Sequence, residues 1–527
     1  MNGDRFAQGF PPAAGGVSGS LIANVTGRLW AAGLQLVFTP VYIRLLGPEA
    51  YGLIGFYTTL VVALGFLDQA VSPVLVREFA RLSVNPGRMP DMRNLLRTLE
   101  TITVMVGVVL GAAVFLFAPL IATLWLKYQT LPADEVVLAV RLMGLGLACQ
   151  WPSLLYSGGY VGLVRQGVLT RLRIAGMTVQ WAGAALVLWA SGSRVEAFFA
   201  WQALSLALIS AMLGVGLWRL LPEPSHRPRA ALASVRGVRR YAAGTFLIGL
   251  TASILTQADK LIVSSAVPLD RFAAYSLCFM LMMLISSFIA APMAASLLPH
   301  FTRLAAKSDD GQLALEYHRW TQLLVVAALP VCGVFVIFGR PLLETWLAGR
   351  GPLVDEIMPL LPWATLGTLL NIVMLMPLLL QLAAGWTRLS VIKNVIAVAL
   401  VLPILLLGVP RFGPIVGAWC WFGLNFAYYL VEVPLVHRRL LRGEMRAWWI
   451  RDTLCPGIIA AAFFWAVARL SSALQDRPIE AIAAAAASGL VSAALLALAL
   501  PHPRAMIMEV SRRVARSWKQ RRAKNGA

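Results

Sequence analysis

Long apolar stretches recur along the whole chain, and short polar or charged segments separate them. Each stretch has about 20 residues or more, the length that a helix needs to cross about 30 Å of hydrocarbon. The pattern therefore predicts an all-α integral membrane protein with about 14 transmembrane helices. We place the spans at residues 18–44, 52–77, 99–126, 136–163, 168–190, 196–219, 241–267, 273–301, 320–347, 353–384, 388–409, 412–437, 453–472 and 479–500.

The composition agrees with this interpretation. Of the 527 residues, 59% are hydrophobic and 13% are charged, and the mean hydropathy is +0.74. Soluble globular proteins carry about 25% charged residues. No polar segment is long enough to fold as a separate soluble domain. The polar start of the chain leads into an apolar stretch that is too long for a cleavable signal, so we interpret that stretch as the first span.

The sequence contains no pattern for a cofactor or a metal. Its five cysteines have no paired spacing and predict neither a disulfide framework nor a zinc site. It also lacks the glycine-rich phosphate loop of nucleotide hydrolases. We therefore expect a protein without cofactor, without metal and without enzymatic activity.

The net charge of +21 follows from the predicted membrane topology. With the N-terminus inside, 33 of the 45 Lys and Arg residues fall on the cytoplasmic side and ten on the external side, while Arg28 and Lys260 lie within spans. Membrane proteins accumulate positive residues on the cytoplasmic side, where these residues attract anionic membrane lipids. The distribution predicts that both termini are cytoplasmic, and it requires no nucleic-acid partner.

An internal repeat relates two turns of the chain. LLGPEAYGLIGFY (45–57) follows the first span, and AVPLDRFAAYSLCF (266–279) follows the seventh, so that Tyr51 aligns with Tyr275. Because six spans separate the two copies, both have the same orientation. An axis along the membrane normal would relate them, with a substrate site at their interface. The alternative is a chance resemblance between short turns rich in Gly, Pro and Tyr.

The repeat divides the chain into four parts. We predict an N-terminal six-helix lobe at 18–221, a C-terminal six-helix lobe at 241–440, an additional transmembrane hairpin at 452–500 and a basic cytoplasmic tail at 501–527. Apolar and basic residues alternate with helical spacing in the tail. This spacing favours an amphipathic helix on the membrane surface over a disordered basic tail.

Two stretches resemble a known transporter family. They are NVTGRLWAAGLQLVFTPVYIRLLGPEAYGLIGFY with the following VREFARL, and QADKLIVSSAVPLDRFAAYSL. Both are similar to the lobe starts of Wzx-type polysaccharide and O-antigen flippases, which belong to the multidrug/oligosaccharidyl-lipid/polysaccharide exporter superfamily. The resemblance implies two six-helix lobes around a central cleft that opens alternately to each side of the membrane.

The same resemblance implies a cargo and a location. Such flippases move an undecaprenyl-diphosphate-linked oligosaccharide from the inner to the outer leaflet of the bacterial cytoplasmic (inner) membrane, in the synthesis of surface polysaccharides such as lipopolysaccharide. The implied partners are this lipid-linked glycan, membrane lipids and, as a candidate, polysaccharide polymerase machinery.

Polar residues inside the first span mark a candidate substrate site. Arg28 lies about ten residues from the inner end of the span, or about 15 Å along the helix, which is too deep for easy snorkelling. Asn24 and Gln35 share its helical face. A guanidinium group suits phosphate oxygens, so Arg28 is either a cargo contact or one half of a structural ion pair. Its candidate partner is Asp68, which lies equally far from the turn at Pro48.

The seventh span contains the second candidate set. Ser253, Gln257, Lys260 and Ser264 form a polar stripe at helical spacing. Lys260 either faces the cleft or snorkels to the outer surface, in which case Asp259 bonds a neighbouring helix. Adjacent side chains on a helix point about 100° apart, so we expect Asp259 and Lys260 not to pair with each other. If both basic residues face the cleft, a diphosphate can pass from Arg28 to Lys260.

Other polar residues in the spans leave two interpretations open. Glu432 is either ion-paired near the cytoplasmic interface or a ligand of a coupling ion. Asn371, Gln381 and Asn425 either contact sugar hydroxyls or bond between helices.

The leading functional hypothesis is a flippase for lipid-linked glycans. A cation-coupled antiporter of drugs or small solutes on the same fold is an alternative, but it requires acidic residues where Arg28 and Lys260 are basic. A membrane-embedded glycan polymerase or ligase is a further alternative. Such enzymes require a substantial external loop with acid–base residues, whereas the predicted external loops are short and all five histidines fall on the cytoplasmic side.

Overall fold

The protein is helical throughout the part that the structure describes. The computed structural model describes residues 16–83, 89–221, 239–307, 309–471, 477–509 and 511–513. By its internal contacts the chain divides into two compact units. The first unit comprises Met1–Ser276 and Leu405–Gly413, and the second comprises Leu277–Ile404 and Pro414–Ala527.

The described residues contain sixteen helices that we number in chain order. They are α1 Gly16–Leu46, α2 Pro48–Leu64, α3 Ser72–Leu82, α4 Met89–Leu116, α5 Ala133–Gly162, α6 Gln166–Ala190, α7 Val195–Leu220, α8 Arg239–Ala266, α9 Leu269–Ala306, α10 Asp310–Trp346, α11 Leu361–Val373, α12 Leu375–Ala383, α13 Thr387–Phe412, α14 Ile415–Leu440, α15 Cys455–Leu470 and α16 Pro478–Ala499. Shorter α, 3-10 and π segments lie at Gly65–Ala70, Ala118–Leu120, Ile121–Trp125, Gly351–Ile357, Met445–Ala447 and Trp448–Leu454.

The helices confirm the predicted multi-pass membrane architecture. Twelve helices in the described residues are long and apolar enough to cross a membrane. Two predicted spans, 241–267 and 412–437, fall outside those twelve. Their helices α8 and α14 nevertheless have 28 and 26 residues, enough for about 40 Å at 1.5 Å per residue. The fold is therefore all-α with about 14 transmembrane helices.

The predicted second span, 52–77, is broken in the structure. Helix α2 begins at Pro48 and ends at Leu64, and the 3-10 segment Gly65–Ala70 follows it. Helix α3 then restarts with a proline in its first turn. Proline lacks the N–H that a continuing helix requires, so it fits the start of a helix and interrupts a longer one.

Helices α3, α4, α5 and α7 share the core of the first unit. Leu75, Phe79, Leu96 and Leu217 have no exposed surface there. Gly162 lets α5 approach α3 closely, since a Cβ at this glycine would lie 2.8 Å from the carbonyl oxygen of Val76. Such small residues at helix contacts are typical of membrane bundles.

The second unit holds the two C-terminal helices against α10. The ring of Phe464 in α15 covers Gly333 so closely that a Cβ at this glycine would lie 2.1 Å from it. Ala460 and Leu496 complete this apolar cluster. Helices α15 and α16 form the hairpin that the sequence predicts at 452–500, and they pack directly on a long helix of the second unit.

The predicted lobe boundaries stay predictions. By its contacts, α8 lies in the first unit, although the repeat assigns it to the lobe at 241–440. In the predicted tail at 501–527, residues 501–509 and 511–513 are helical. The remainder of the proposed amphipathic helix lies outside the described residues.

Candidate functional site

One side of α1 has the character of a lipid-facing surface. Its apolar side chains are between 37% and 61% exposed although they are large, and a helix advances 100° per residue, which places them on one side. They are Val25, Leu29, Leu36 and Val37. We assign this side of α1 to lipid.

Arg28 lies on a different side of α1, about 100° from the centre of the lipid-facing surface. It shares this side with Gln35 and Thr39. Thr39 is buried and Gln35 is half-buried, whereas Arg28, nearer the N-terminal end, is exposed. The polar side of α1 is therefore covered towards its C-terminal end and accessible around Arg28. The side chain of Asn24, which the sequence places on the same side, lies outside the described residues.

Helix α6 packs beside α1 and runs in the same direction. Gly27 contacts Thr170, where a Cβ on the glycine would lie 3.1 Å from the threonine methyl group. Towards the other end of the pair, the hydroxyl of Tyr42 donates a 2.6 Å hydrogen bond to the carbonyl of Trp181, and the two rings stack. These contacts fix both the rotation and the relative height of the two helices.

The packing places a second arginine beside Arg28. Arg173 is exposed and comes three residues after Thr170, so it lies within about 3 Å of the height of Arg28 along the helix axes. On α1, Arg28 lies about 100° around the helix from the side that faces α6. On α6, Arg173 lies about 90° around the helix from the side that faces α1. The two rotations have opposite senses. In two parallel helices this arrangement brings both residues to the same side of the pair.

The apolar residues of α6 support this assignment. Val179, Leu186 and Trp189 are more than half exposed, and they lie on the side of α6 opposite to Arg173. The lipid-facing side of α1 also points away from the arginines. Arg28 and Arg173 therefore form one accessible, positively charged surface that faces away from lipid, and we call these two residues the basic surface.

Asp68 is not the partner of Arg28. In the described residues, Asp68 accepts a hydrogen bond from the hydroxyl of Ser72 and forms no salt bridge with Arg28. The equal spacing of the two residues from Pro48 assumes two straight antiparallel helices. That assumption fails because α2 ends at Leu64 and Asp68 lies in the 3-10 segment beyond it.

Asp259 and Lys260 pair with each other, so the expectation from their sequence positions is wrong. The ammonium group of Lys260 lies 3.2 Å from both carboxylate oxygens of Asp259 and 3.0 Å from the carbonyl of Thr256. The 100° between adjacent residues separates their Cβ atoms, but the four-carbon side chain of lysine is long enough to fold back along the helix. The hydroxyl of Tyr275 donates a further 2.6 Å hydrogen bond to Asp259.

The rest of the predicted stripe on α8 makes helix contacts within the first unit. The hydroxyl of Ser253 donates to the carbonyl of Ala63, at 2.7 Å. Ser264 is buried and accepts a 3.0 Å hydrogen bond from the indole of Trp125. Gln257 is 5% exposed. The stripe is thus largely a packing surface in this conformation, and a cargo contact at Gln257 or Lys260 stays a prediction.

The two turns of the sequence repeat pack against each other. A Cβ at Gly52, in the first turn, would lie 2.2 Å from the carbonyl oxygen of Leu269 in the second turn, and a Cβ at Gly55 would lie 2.7 Å from the hydroxyl of Ser276. Only glycine allows the backbones to approach this closely. The segment around Lys127 reinforces the contact, since its carbonyl accepts a 2.9 Å hydrogen bond from the N–H of Leu269. The two repeat turns are therefore in close backbone contact.

In the second unit, Glu432 belongs to a buried ion pair. Its carboxylate lies 2.7 Å from the ammonium group of Lys393 and accepts a hydrogen bond from the amide of Gln381. Lys393 also lies 4.5 Å from the centre of the Tyr428 ring. Nearby helices are joined in the same way, because Asn371 donates a 2.9 Å hydrogen bond to Asn425. These contacts agree with the interpretation in which Glu432 is ion-paired and the amides of Asn371, Gln381 and Asn425 bond within the protein.

Arg173 is the residue that the sequence interpretation missed. The charge analysis counts it among the cytoplasmic residues, although its position falls within the predicted fifth span. The structure starts α6 at Gln166, which puts Arg173 two turns inside the helix. The available signal was an arginine inside the predicted span 168–190, five residues after its start.

Comparison with known proteins identifies the family of this chain. A family model described as "Polysaccharide biosynthesis protein" matches residues 41–350. The fold is similar to that of the lipid II flippase MurJ in an inward closed conformation, with a TM-score of 0.69, 11% sequence identity, and coverage of 90% of this chain and 98% of that one. It is also similar to an inward-facing MATE family multidrug transporter of the MOP superfamily, with a TM-score of 0.61, 13% identity, and coverage of 81% and 99%.

The structural likenesses establish the fold, and the family match goes further. No curated protein sequence matches the chain. The matched residues extend over more than half of the chain, from the end of α1 to the end of α10, and include the closed contact between the repeat turns. The chain is a multi-pass membrane protein of the polysaccharide biosynthesis family, with a fold similar to those of the MurJ flippase and the MATE transporter.

Proposed function

We propose that the protein is a flippase. It moves an undecaprenyl-diphosphate-linked oligosaccharide from the inner to the outer leaflet of the bacterial cytoplasmic membrane, for the synthesis of surface polysaccharide. Membership of the polysaccharide biosynthesis family and the MOP-superfamily fold support a transport role. The same proposal includes cytoplasmic termini and delivery of the glycan to polymerase machinery.

The basic surface is the observation that carries this proposal. Arg28 and Arg173 are accessible, lie at similar height and lie on one side of the α1–α6 pair. Each guanidinium group can bind two phosphate oxygens at once. Two arginines inside a membrane bundle are costly unless they serve a wet pathway or an anionic partner. A diphosphate satisfies both arginines.

The surroundings of the basic surface suit a cargo with a lipid tail. The centre of the lipid-facing side of α1 lies about 100° from Arg28 around the same helix. A diphosphate headgroup can occupy the polar side while its polyprenyl chain stays in lipid. A cationic drug would be repelled by Arg28 and Arg173, so the antiporter hypothesis gains no support from this surface.

We assign secondary roles to the other predicted cargo residues. Gln35, half-buried on the polar side of α1, and Asn24 provide hydrogen bonds to the headgroup. Lys260 is held by Asp259 before cargo arrives, and the phosphate competes with that carboxylate for the ammonium group. Gln257 lies one turn before Lys260 and lines the same part of α8.

Reconstitution tests the proposal. Proteoliposomes with a fluorescent undecaprenyl-diphosphate oligosaccharide should show protein-dependent movement of the glycan between leaflets, measured by its exposure to an impermeant quencher. We expect Arg28→Ala and Arg173→Ala to slow this movement by about tenfold or more, because each removes a charge-assisted phosphate contact.

Arg171→Ala is the matched control. Arg171 is also exposed on α6, but it lies on the side opposite to Arg173 and donates to the carbonyl of Gly167, so its removal should change the rate by less than about twofold. Wild-type protein that leaves the glycan in place while it transports a cationic dye would reject the flippase and favour the antiporter.

A further inference from the structure

A buried ionisable cluster in the second unit lies apart from the proposed cargo surface. His318 of α10 is 4% exposed, and Asp452 of the π segment Trp448–Leu454 is fully buried. One ring nitrogen of His318, Nδ1, is hydrogen-bonded to Asp452. The other, Nε2, lies 3.0 Å from a carboxylate oxygen of Glu444. A histidine is thus held between two carboxylates.

This geometry requires one proton more than the ordinary charge states supply. A neutral imidazole donates one hydrogen bond, and an ionised carboxylate only accepts. Both ring nitrogens of His318 meet carboxylate oxygens, so one of the two contacts would set lone pair against lone pair. An additional proton, carried by His318 as imidazolium or by one of the carboxylates, makes both contacts into hydrogen bonds.

The other charges around the cluster complete the balance. Arg451 donates to the second oxygen of Asp452 at 3.1 Å, so the protonated histidine, two carboxylates and Arg451 sum to zero. Without the additional proton the cluster carries a net negative charge in a largely buried place, which is unfavourable.

In the described residues, other ionisable side chains near His318 have contacts of their own. On α10 itself, Arg319 is paired with Glu316 at 3.3 Å. On α14, the ring of His437 bonds the carbonyl of its own helix through Nδ1, at 2.8 Å. After α16, burial lowers the pKa of His502 and the positive charge of Arg451 lowers it further, so the charged form of this ring is disfavoured.

The cluster joins three parts of the chain. Gln322 of α10 donates a 2.7 Å hydrogen bond to Asp452 and accepts a 3.0 Å bond from the backbone N–H of His502. The fully buried Trp448 donates to the hydroxyl of Thr321. The backbone around Asp452 is a π-helix. This conformation is rare in proteins overall, but where it occurs it is often at a functional site. The cluster therefore fastens the start of the C-terminal helix pair to α10.

Glu444 connects the cluster to solvent. Its side chain is 40% exposed, whereas the side chains of His318 and Asp452 are 5% and 0% exposed. A chain of an exposed carboxylate, a histidine and a buried carboxylate is the arrangement that proton relays in membrane proteins use. We infer that Glu444, His318 and Asp452 form a proton-binding site whose occupancy holds the C-terminal helix pair against α10.

The pH dependence of thermal unfolding tests this inference on the full-length protein in detergent. The unfolding midpoint of the wild type should fall by about 5 °C more between pH 6 and pH 9 than that of Asp452→Asn, the order expected for one charge-assisted hydrogen bond. In Asp452→Asn the amide can donate to Nδ1 while Nε2–H donates to Glu444, so a neutral histidine satisfies every contact and no additional proton is needed.

Two further variants complete the design. His318→Gln should show the same reduced pH dependence as Asp452→Asn. His300→Gln removes a partly exposed histidine, 3.8 Å from Glu316, and should keep the wild-type pH dependence. Equal pH dependence in the wild type and Asp452→Asn, or its loss in His300→Gln, would overturn the inference. If His318→Gln does not fold, the comparison of Asp452→Asn with the wild type still decides.

Discussion

Removal of Lys393 should destabilise the second unit strongly. Lys393 lies 2.7 Å from Glu432, whose side chain is only 3% exposed. In Lys393→Met the carboxylate keeps the hydrogen bond from Gln381 but loses its counter-charge inside the protein. Breaking a buried ion pair from one side costs about 3–5 kcal/mol, because an uncompensated charge remains.

The double variant isolates the cause of this loss. In Lys393→Met with Glu432→Gln, no charge remains, and the new amide can still bond Gln381. Replacement of a buried ion pair by neutral residues of similar volume is often close to neutral in stability. We therefore expect the double variant to recover more than half of the stability that Lys393→Met loses.

Thermal unfolding in detergent measures both effects. A loss of about 3–5 kcal/mol corresponds to a fall of about 10 °C in the unfolding midpoint for a unit of this size. A fall of less than about 2 °C in Lys393→Met would contradict the structural role of the pair. A double variant as unstable as the single one would show that the loss comes from altered packing around Tyr428 and not from the charge.

Three other predictions follow from the described contacts. Lys260→Arg should keep part of the transport rate and Lys260→Glu should abolish it at normal protein level, in the proteoliposome assay; an active Lys260→Glu would remove this residue from the cargo path. Gly52→Ala places a Cβ against the backbone of Leu269 and should lower the unfolding midpoint by several degrees, since overpacking costs about 1–3 kcal/mol. The control Gly33→Ala places its Cβ in open space and should leave the midpoint unchanged. Equal effects of the two substitutions would refute the close contact at Gly52. Reporter fusions after Arg350 and after Ala527 should report opposite sides of the membrane, and the same side for both would reject the fourteen-helix topology.

The sequence was sufficient for the helical architecture because membrane spans are encoded locally. Apolar length alone predicts most of the long helices, and the predicted spans 241–267 and 412–437 match α8 and α14. Local patterns did not predict the break that the structure shows within the span 52–77. Whether a proline interrupts a span depends on what packs around it.

The candidate site depended on information that sequence spacing does not contain. Spacing placed Asn24, Arg28 and Gln35 on one side of α1, but the position of Arg173 beside Arg28 follows from the packing of Gly27 on Thr170. Spacing also gave the wrong answer for Asp259 and Lys260, because it describes where side chains leave the helix and not how far a long one reaches. The His318 cluster joins residues that are more than 100 positions apart, so no local pattern could reveal it.

The affinity for undecaprenyl diphosphate, without any sugar, tests the role of the basic surface most directly. Purified wild type, Arg173→Ala and Arg171→Ala should be compared by titration with this lipid, with undecaprenol as the phosphate-free reference. Loss of one charge-assisted phosphate contact, about 1.5–3 kcal/mol, weakens binding by about tenfold to a hundredfold. We predict that loss for Arg173→Ala alone, with unchanged binding of undecaprenol in all three proteins. Equal affinities of wild type and Arg173→Ala for the diphosphate would contradict the claim that Arg28 and Arg173 bind the cargo headgroup together.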